Sequence, residues 1–320
     1  MDSNTNSSDS IHTHNPTGNE STLTVLGCGT MGIAILRGLL SSSDAGIPAR
    51  NDSALPIPTR FHACVPSARG AGRIKTELGT LASGVTVHVG DILPALRAAN
   101  VVLLCVKPYA VEKVLSGDGI GEALRGKLLV SICAGITEGT IRGFLDGGCR
   151  VVRVMPNTAA AVRESMSVVS IENGEGKGGT AVTTTDRAVV EYIFSKIGRV
   201  VSLPASCMDA CTALCGSGPA FVALLVESMA AGAIAMGVPR EEAYIMATQT
   251  MRGTTALLLE GKEHPAVLRD KVCTPGGCTI GGLLVLEEGN VRGAVARAVR
   301  EAACVAGQLG EGRKGVNGTR

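Results

Sequence analysis

Thr22-Leu-Thr-Val-Leu26 runs directly into Gly27-Cys28-Gly29-Thr30-Met31-Gly32, and a short apolar strand that ends in glycines at this spacing leaves a chain few folds to choose from. The first glycine permits a tight turn after the strand. The second lets backbone approach a pyrophosphate, and the third lets the next helix pack on the strand. The helix expected over residues 33–40 would then point the positive end of its dipole at the phosphates. Taken alone the pattern is weak evidence for a dinucleotide, so its context decides.

That context is a βα series. Apolar strand-length runs recur over 61–65, 85–89, 101–106, 127–133 and 150–155, with helical stretches at 69–78, 92–99 and 137–145 between them. A last strand-helix-strand passes through 168–171, 186–196 and 199–203. Strands alternating with helices predict α/β architecture with a doubly wound parallel sheet of the Rossmann type. From Pro204 the texture changes to long windows of Ala, Met, Leu and Glu, with a helix starting near Pro239, carrying Glu241 and Glu242 in its first turn, and stopping at Gly261. The expected organisation is a disordered polar tail over 1–21, a dinucleotide-binding domain over 22–203 and an all-helical domain over 204–320. Residues 41–59, rich in Ser, Pro, Ala and Asn, read as a surface insertion.

Composition narrows the function classes. The 320 residues are 45% hydrophobic but only 2% aromatic, so the cores must be built from small aliphatic side chains, as parallel strands and close helices allow. A net charge of +2, with no basic run interleaved with aromatics, argues against nucleic acid as a partner. Residues 1–21 contain no Lys or Arg, which excludes a basic signal or transit peptide. The 11 cysteines are therefore expected to be reduced thiols in a cytoplasmic protein. Cys207, Cys211 and Cys215 share a helical face and are read as packing residues, with no metal expected. Residues 219–238 carry a single charge, Glu227; a carboxylate at mid-span costs about 2.5–3.5 kcal/mol on insertion scales. A buried helix or a subunit interface is the better reading, and no membrane partner is expected.

The loops after the strands carry the candidate cofactor residues. NAD-preferring sites place an acid after the second strand to hold the ribose hydroxyls. This chain has Val65-Pro-Ser67-Ala-Arg69 instead, a hydroxyl and a cation that suit a 2′-phosphate, so NADPH is expected over NADH, with NADH possible. The same pair can simply begin a helix. Val106-Lys107-Pro108, Cys133-Ala134-Gly135 and Met155-Pro-Asn157-Thr158 end further strands, where ligands bind in such sheets. The Asn157 carboxamide matches that of nicotinamide and equally suits a turn.

In the helical half, Cys215-Gly-Ser-Gly-Pro-Ala220 leads into the apolar helix, and Thr274-Pro-Gly276-Gly277-Cys278-Thr279 opens a later one. A proline, two glycines and a helix start expose several backbone N–H groups, a good receptor for a carboxylate. Thr279 in such a place is a helix cap or a ligand contact.

Together with Val162-Arg-Glu164 and the run from Glu263-His264-Pro265 to Glu287, these segments resemble the pyrroline-5-carboxylate reductase family, in the family's order from residue 22 to about 310. The resemblance implies reduction of a cyclic imine to L-proline by NAD(P)H, the last step of proline biosynthesis. It also implies a helical domain that forms an interlocked homodimer, often assembled further. It places Thr279 close to the imine nitrogen and gives the substrate carboxylate to Thr274 and the backbone of Gly276 and Gly277, with Glu263 lining the site. Cys278 departs from the pattern, standing where small residues occur.

The chemistry accords with what the sequence lacks. A protonated imine already accepts hydride and needs mainly orientation and one hydrogen bond to nitrogen. The helical half accordingly offers no obvious acid dyad, and His264, ahead of Pro265, suits a turn better than acid catalysis. A β-hydroxyacid dehydrogenase would carry a catalytic Lys on the first long helix, and 218–227 has none. A non-catalytic NADPH-binding redox sensor would keep the glycines but has no reason to keep the 274–279 turn.

Overall fold

The chain enters the fold on β1 (Ser21–Leu26), six buried residues followed by the glycine turn and α1 (Thr30–Ser41). In the computed structural model, residues 21–41, 55–145, 148–171, 181–313 and 316 are described. The expected tail, up to residue 20, and most of the 41–59 insertion lie outside the described residues. Ser21 belongs to the strand, one residue earlier than the sequence suggested.

The series continues through β2 (Pro58–Val65), α2 (Ala68–Leu78), β3 (Val85–Val89), α3 (Leu93–Ala98) and β4 (Val101–Leu104). Two short helices unmarked in the sequence follow, α4 (Val111–Leu115) and α5 (Ile120–Leu124), then β5 (Leu128–Ser131), α6 (Glu138–Gly143) and β6 (Arg150–Met155). The domain closes with β7 (Ser165–Ile171), α7 (Thr184–Ser195) and β8 (Gly198–Pro204). The eight strands form one sheet in the order β3-β2-β1-β4-β5-β6-β7-β8. Its first six are the doubly wound dinucleotide-binding order, with the reversal between β1 and β4. Ile33 and Leu36 of α1, Ile74 of α2 and Phe194 of α7 cover one face, while Leu96, Leu115, Leu124 and Ile141 cover the other. β1, β4 and β5 are thus buried on both faces, which is why they read as unbroken apolar runs.

The sheet is not parallel throughout. β7 runs antiparallel to β6, then pairs in parallel with β8. Only a 3₁₀ turn, Thr158–Val162, lies between β6 and β7, and a parallel return needs a crossover of a dozen or more residues. The link is too short, so the strand turns back.

Among the described residues every element after Pro204 is helical: a 3₁₀ turn (Ala205–Cys207), α8 (Met208–Cys211), a π-helical turn (Thr212–Gly216), α9 (Gly218–Ala235), α10 (Arg240–Gly261), α11 (Pro265–Val272), α12 (Cys278–Glu288) and α13 (Val291–Gly310). Cys211 packs with Met155, Val168 and Met208, and Cys207 and Cys215 join the same cluster, as small core residues do. The apolar helix is not buried within one chain, contrary to one form of the expectation. The core that α9 and α10 share consists of Ala230, Ala243 and Ala247, while Leu224 is 61% and Met236 85% exposed. Residues Ala205–Ala235 are long and apolar enough to cross a membrane by length and composition. A fully buried Leu or Met contributes roughly 1.5–3 kcal/mol, so faces left open on this scale call for a covering surface.

Candidate active site

The strand order sets the carboxyl ends of β2, β1, β4, β5 and β6 side by side, and the loops leaving them hold the predicted cofactor residues. The glycine turn is pinned first: the N–H groups of Gly27 and Cys28 both donate to the Cys64 carbonyl at 3.1 Å, and that of Gly29 donates to Gly27 O at 2.7 Å. Gly27 has φ +76°, and a Cβ there would lie 2.5 Å from Val106 Cγ1 and 2.9 Å from Val106 Cα. A Cβ on Gly32 would lie 2.9 Å from Val25 Cγ1, so the third glycine lets α1 lie on β1. Gly29 differs. A Cβ there would meet its nearest neighbours at 3.8 and 4.0 Å, ordinary contact. The fold therefore does not require glycine at 29, whereas a pyrophosphate at the N-terminus of α1 does. The residues present fit a dinucleotide.

Thr30 begins α1 with its side chain exposed, and Met31 packs inward against the core. Ser67 caps α2, its Oγ accepting from Gly70 N at 3.4 Å, and Arg69 is exposed in the first turn. The helix-starting role is thus real for Ser67, while its hydroxyl hydrogen stays available as a donor. Lys107 and Pro108 project beside β4, the Val106 carbonyl accepts from Cys133 Sγ at 3.3 Å, and Ala134 is exposed after β5. Asn157 is engaged at both ends of its carboxamide: Oδ1 accepts from Ala159 N and Nδ2 donates to Cys215 O, each at 3.1 Å. Geometry favours the turn-forming reading of this side chain. It ties the end of β6 to the π-helical turn, a departure from the α-ladder of the kind that clusters at functional sites.

Sequence reasoning missed Arg73. From the second turn of α2 its Nη2 donates to Thr30 Oγ1 at 3.1 Å, and its Nε pairs with Glu77 at 2.9 Å. The available signal was its place four residues after Arg69, on the same side of the helix.

The 274–279 turn joins α11 to α12. Gly276 adopts φ +66°, a conformation that favours glycine, and the Gly277 N–H donates to Thr274 O at 3.0 Å. A Cβ on Gly277 would lie 2.4 Å from Thr274 Oγ1, so the Thr274 hydroxyl occupies that space. The helix cap is Gly277, not Thr279, and no side chain bonds the first-turn N–H groups of α12. Thr279 is half-buried one residue into the helix. Glu263 pairs with Lys271, and His264 caps α11, its Nδ1 accepting from Ala266 N at 3.2 Å.

Two cavities open away from these loops. One of about 480 Å³ lies at the amino ends of the strands, near Ser21, Lys127 and Arg150; the other, about 560 Å³, lies beside β3. Ligands of such sheets bind at the carboxyl ends, so strand direction outranks cavity size here. Among the described residues no group of three or more His, Cys, Asp or Glu could hold a metal. Burial pushes the thiols at and beneath these loops up, Cys28 and Cys64 to about 12, Cys133 to about 11, and Cys105 well above its ordinary value. Redox sensing needs an accessible thiolate, which these are not.

Both halves of the chain match known families in this order. Residues 22–135 match the family described as NADP oxidoreductase coenzyme F420-dependent, and residues 205–309 match pyrroline-5-carboxylate reductase dimerisation. A pyrroline-5-carboxylate reductase of Lophium arboricola is 52% identical, covering 95% of this chain and 98% of its own length. One from Neurospora crassa is 48% identical over 94% of this chain and 97% of its own. A crystal structure of the Plasmodium falciparum pyrroline carboxylate reductase with NADP bound superposes with a TM-score of 0.72 at 26% identity, covering 91% of this chain and 98% of that one. With relatives 52% and 48% identical over nearly the full length of both chains, and a dimerisation family matched over residues 205–309, this chain belongs to the pyrroline-5-carboxylate reductase family.

Proposed function

We propose that the protein reduces 1-pyrroline-5-carboxylate to L-proline with NADPH, closing proline biosynthesis, and that the 274–279 turn is where the substrate is held. The observation that carries this reading is the uncapped start of α12. No side chain caps the first-turn N–H groups of α12, and the Thr274 hydroxyl fills the space beside Gly277 at that helix start. An anionic carboxylate is favoured there by both the N–H groups and the helix dipole.

The dinucleotide, when bound, supplies the hydride. The chain's own task is orientation, because a protonated imine is already electrophilic. The Thr274 hydroxyl, the backbone around Gly276 and Gly277 and the uncapped first-turn N–H groups of α12 hold the carboxylate, the Gly277 N–H itself being turned to Thr274 O. The Thr279 hydroxyl hydrogen-bonds the imine nitrogen, and the Glu263–Lys271 pair lines the approach. His264 serves the α11 cap through Nδ1, and we give it no proton-transfer role because a protonated imine needs no acid to accept hydride. On the cofactor side Gly27, Gly29, Thr30, Met31 and Gly32 form the cradle. Val106, Lys107, Pro108 and Ala134 border the nicotinamide end, and Asn157 positions the π-helical turn. α9 holds no Lys, which counts against the β-hydroxyacid dehydrogenase reading.

The protein is a homo-oligomer through its helical half, and we take the unit to be a dimer or a multiple of one, with α9, α10 and α12 covered by a second copy rather than by lipid. The 11 free thiols favour the cytoplasm. The direct test supplies purified protein with NADPH and pyrroline-5-carboxylate. Absorbance loss with stoichiometric proline is expected; turnover of a hydroxyacid without turnover of this imine overturns the assignment.

Cofactor choice falls to Ser67 and Arg69. Arg69→Ala is expected to lower kcat/KM with NADPH about 10-fold, the loss of one charge-assisted hydrogen bond, with NADH little changed. A wild type that favours NADH, or an unchanged ratio in the variant, removes Arg69 from the 2′-phosphate site.

A further inference from the structure

We propose that Arg73 is a clamp on the cofactor's pyrophosphate, reaching from α2 across the glycine turn and distinct in task from Arg69. The inference rests on the dinucleotide reading above and concerns a residue that the glycine motif does not contain.

Three observations carry it. First, Nη2 of Arg73 donates to Thr30 Oγ1 at 3.1 Å, and Thr30 is the first residue of α1, whose N-terminus faces the phosphates in this fold. Second, the same Nη2 lies 4.0 Å from where a Cβ on Gly29 would stand, so the guanidinium borders the open space that glycine leaves. Third, the charges of this pair reach the turn itself: burial pushes the Cys28 thiol up most, Arg73 pulls it down, and Glu77 opposes Arg73 more weakly.

What now holds Arg73 is easily exchanged. Its partner Glu77 is one turn further along α2, and the two side chains are 45% and 38% exposed. Exposed pairs of this kind contribute little. A guanidinium has five N–H donors, of which Thr30 and Glu77 engage two, so donors remain for phosphate oxygens. The N-terminus of α1 offers partial positive charge only, and no Lys or Arg occurs in residues 27–32 to supplement it. Arg73 supplies that charge from the neighbouring helix. Ser67 and Arg69, by contrast, lie in the loop and first turn after β2, where the adenosine ribose is read. Arg73 therefore contacts a group that NADH and NADPH share, while Arg69 contacts the group that distinguishes them.

The test is equilibrium binding by calorimetry to the intact protein, with thermal melts alongside. The ligands are NADPH, NADH, ADP-ribose, which keeps the pyrophosphate but lacks a 2′-phosphate, and adenosine 2′-monophosphate, which has the reverse. Arg73→Gln should weaken NADPH, NADH and ADP-ribose by a common factor of about 10 and leave adenosine 2′-monophosphate unchanged. Arg69→Ala should show the opposite selectivity. Arg73→Lys, which keeps the charge without the fork, should fall between wild type and Arg73→Gln and serves if that variant folds poorly. A loss confined to NADPH and adenosine 2′-monophosphate would move Arg73 to the 2′-phosphate. Unchanged affinities would reduce it to a surface ion pair, and either result overturns the proposal. Failure of the wild type to bind any dinucleotide would be the separate failure of the cofactor reading.

Discussion

Thr279→Ala is expected to lower kcat about 10- to 100-fold while the melting temperature stays close to wild type. The magnitude is that of one hydrogen bond to a charged or strongly polarised group, about 1.5–3 kcal/mol, and each 1.36 kcal/mol is tenfold in rate. The structural effect is small because Thr279 does not cap α12. Gly277 holds that position and alanine is the better helix former, so the substitution removes a hydroxyl without weakening the helix start. The kinetic split identifies the role. If the hydroxyl aligns the imine nitrogen as hydride arrives, kcat and kcat/KM fall together; if it merely holds the ground state, KM rises and kcat stands. Thr279→Ser keeps the hydroxyl and should recover most of the rate. Near-normal turnover in Thr279→Ala would end the assignment of a catalytic role to this residue.

How far the sequence reaches differs between the two halves of the molecule. In the sheet domain, glycines, apolar runs and helix starts are local signals, and they placed the strands that carry the cofactor loops. The direction of β7 was not legible, because an apolar run reads the same in either direction; the short link after Met155 decides it. Asn157 stayed ambiguous because a carboxamide serves a turn and a ligand alike, and only the nearby Cys215 carbonyl separates them. Arg73 was hidden because its partner on α1 is distant in sequence, brought near by helix packing. In the helical domain, hydrophobicity announced that α9 would be covered without saying by what. A single chain supplies it with alanines from α10 and leaves Leu224 and its neighbours exposed.

The glycine turn separates the needs of the fold from those of the ligand, and two substitutions exploit this. Gly27→Ala should both destabilise the protein and abolish cofactor binding. At φ +76° an alanine is strained, and its Cβ would stand 2.9 Å from Val106 Cα, a backbone atom that cannot rotate away. Strain of about 1–3 kcal/mol and overpacking of a similar size would lower the melting temperature by roughly 3–9 °C for a chain of this size. Gly29→Ala should leave the melting temperature within about 1 °C of wild type, because its nearest neighbours at 3.8 and 4.0 Å are in ordinary contact. Yet the new methyl stands where the pyrophosphate must approach the backbone. An overpacked contact of about 1–3 kcal/mol corresponds to a roughly 5- to 150-fold rise in the Kd for NADPH. Normal melting with lost binding at 29, beside impaired melting at 27, is the pattern expected of a turn whose first glycine serves the protein and whose second serves the ligand. Undiminished NADPH affinity in Gly29→Ala would mean that the pyrophosphate does not lie on this turn, and the placement of the cofactor would have to be redrawn.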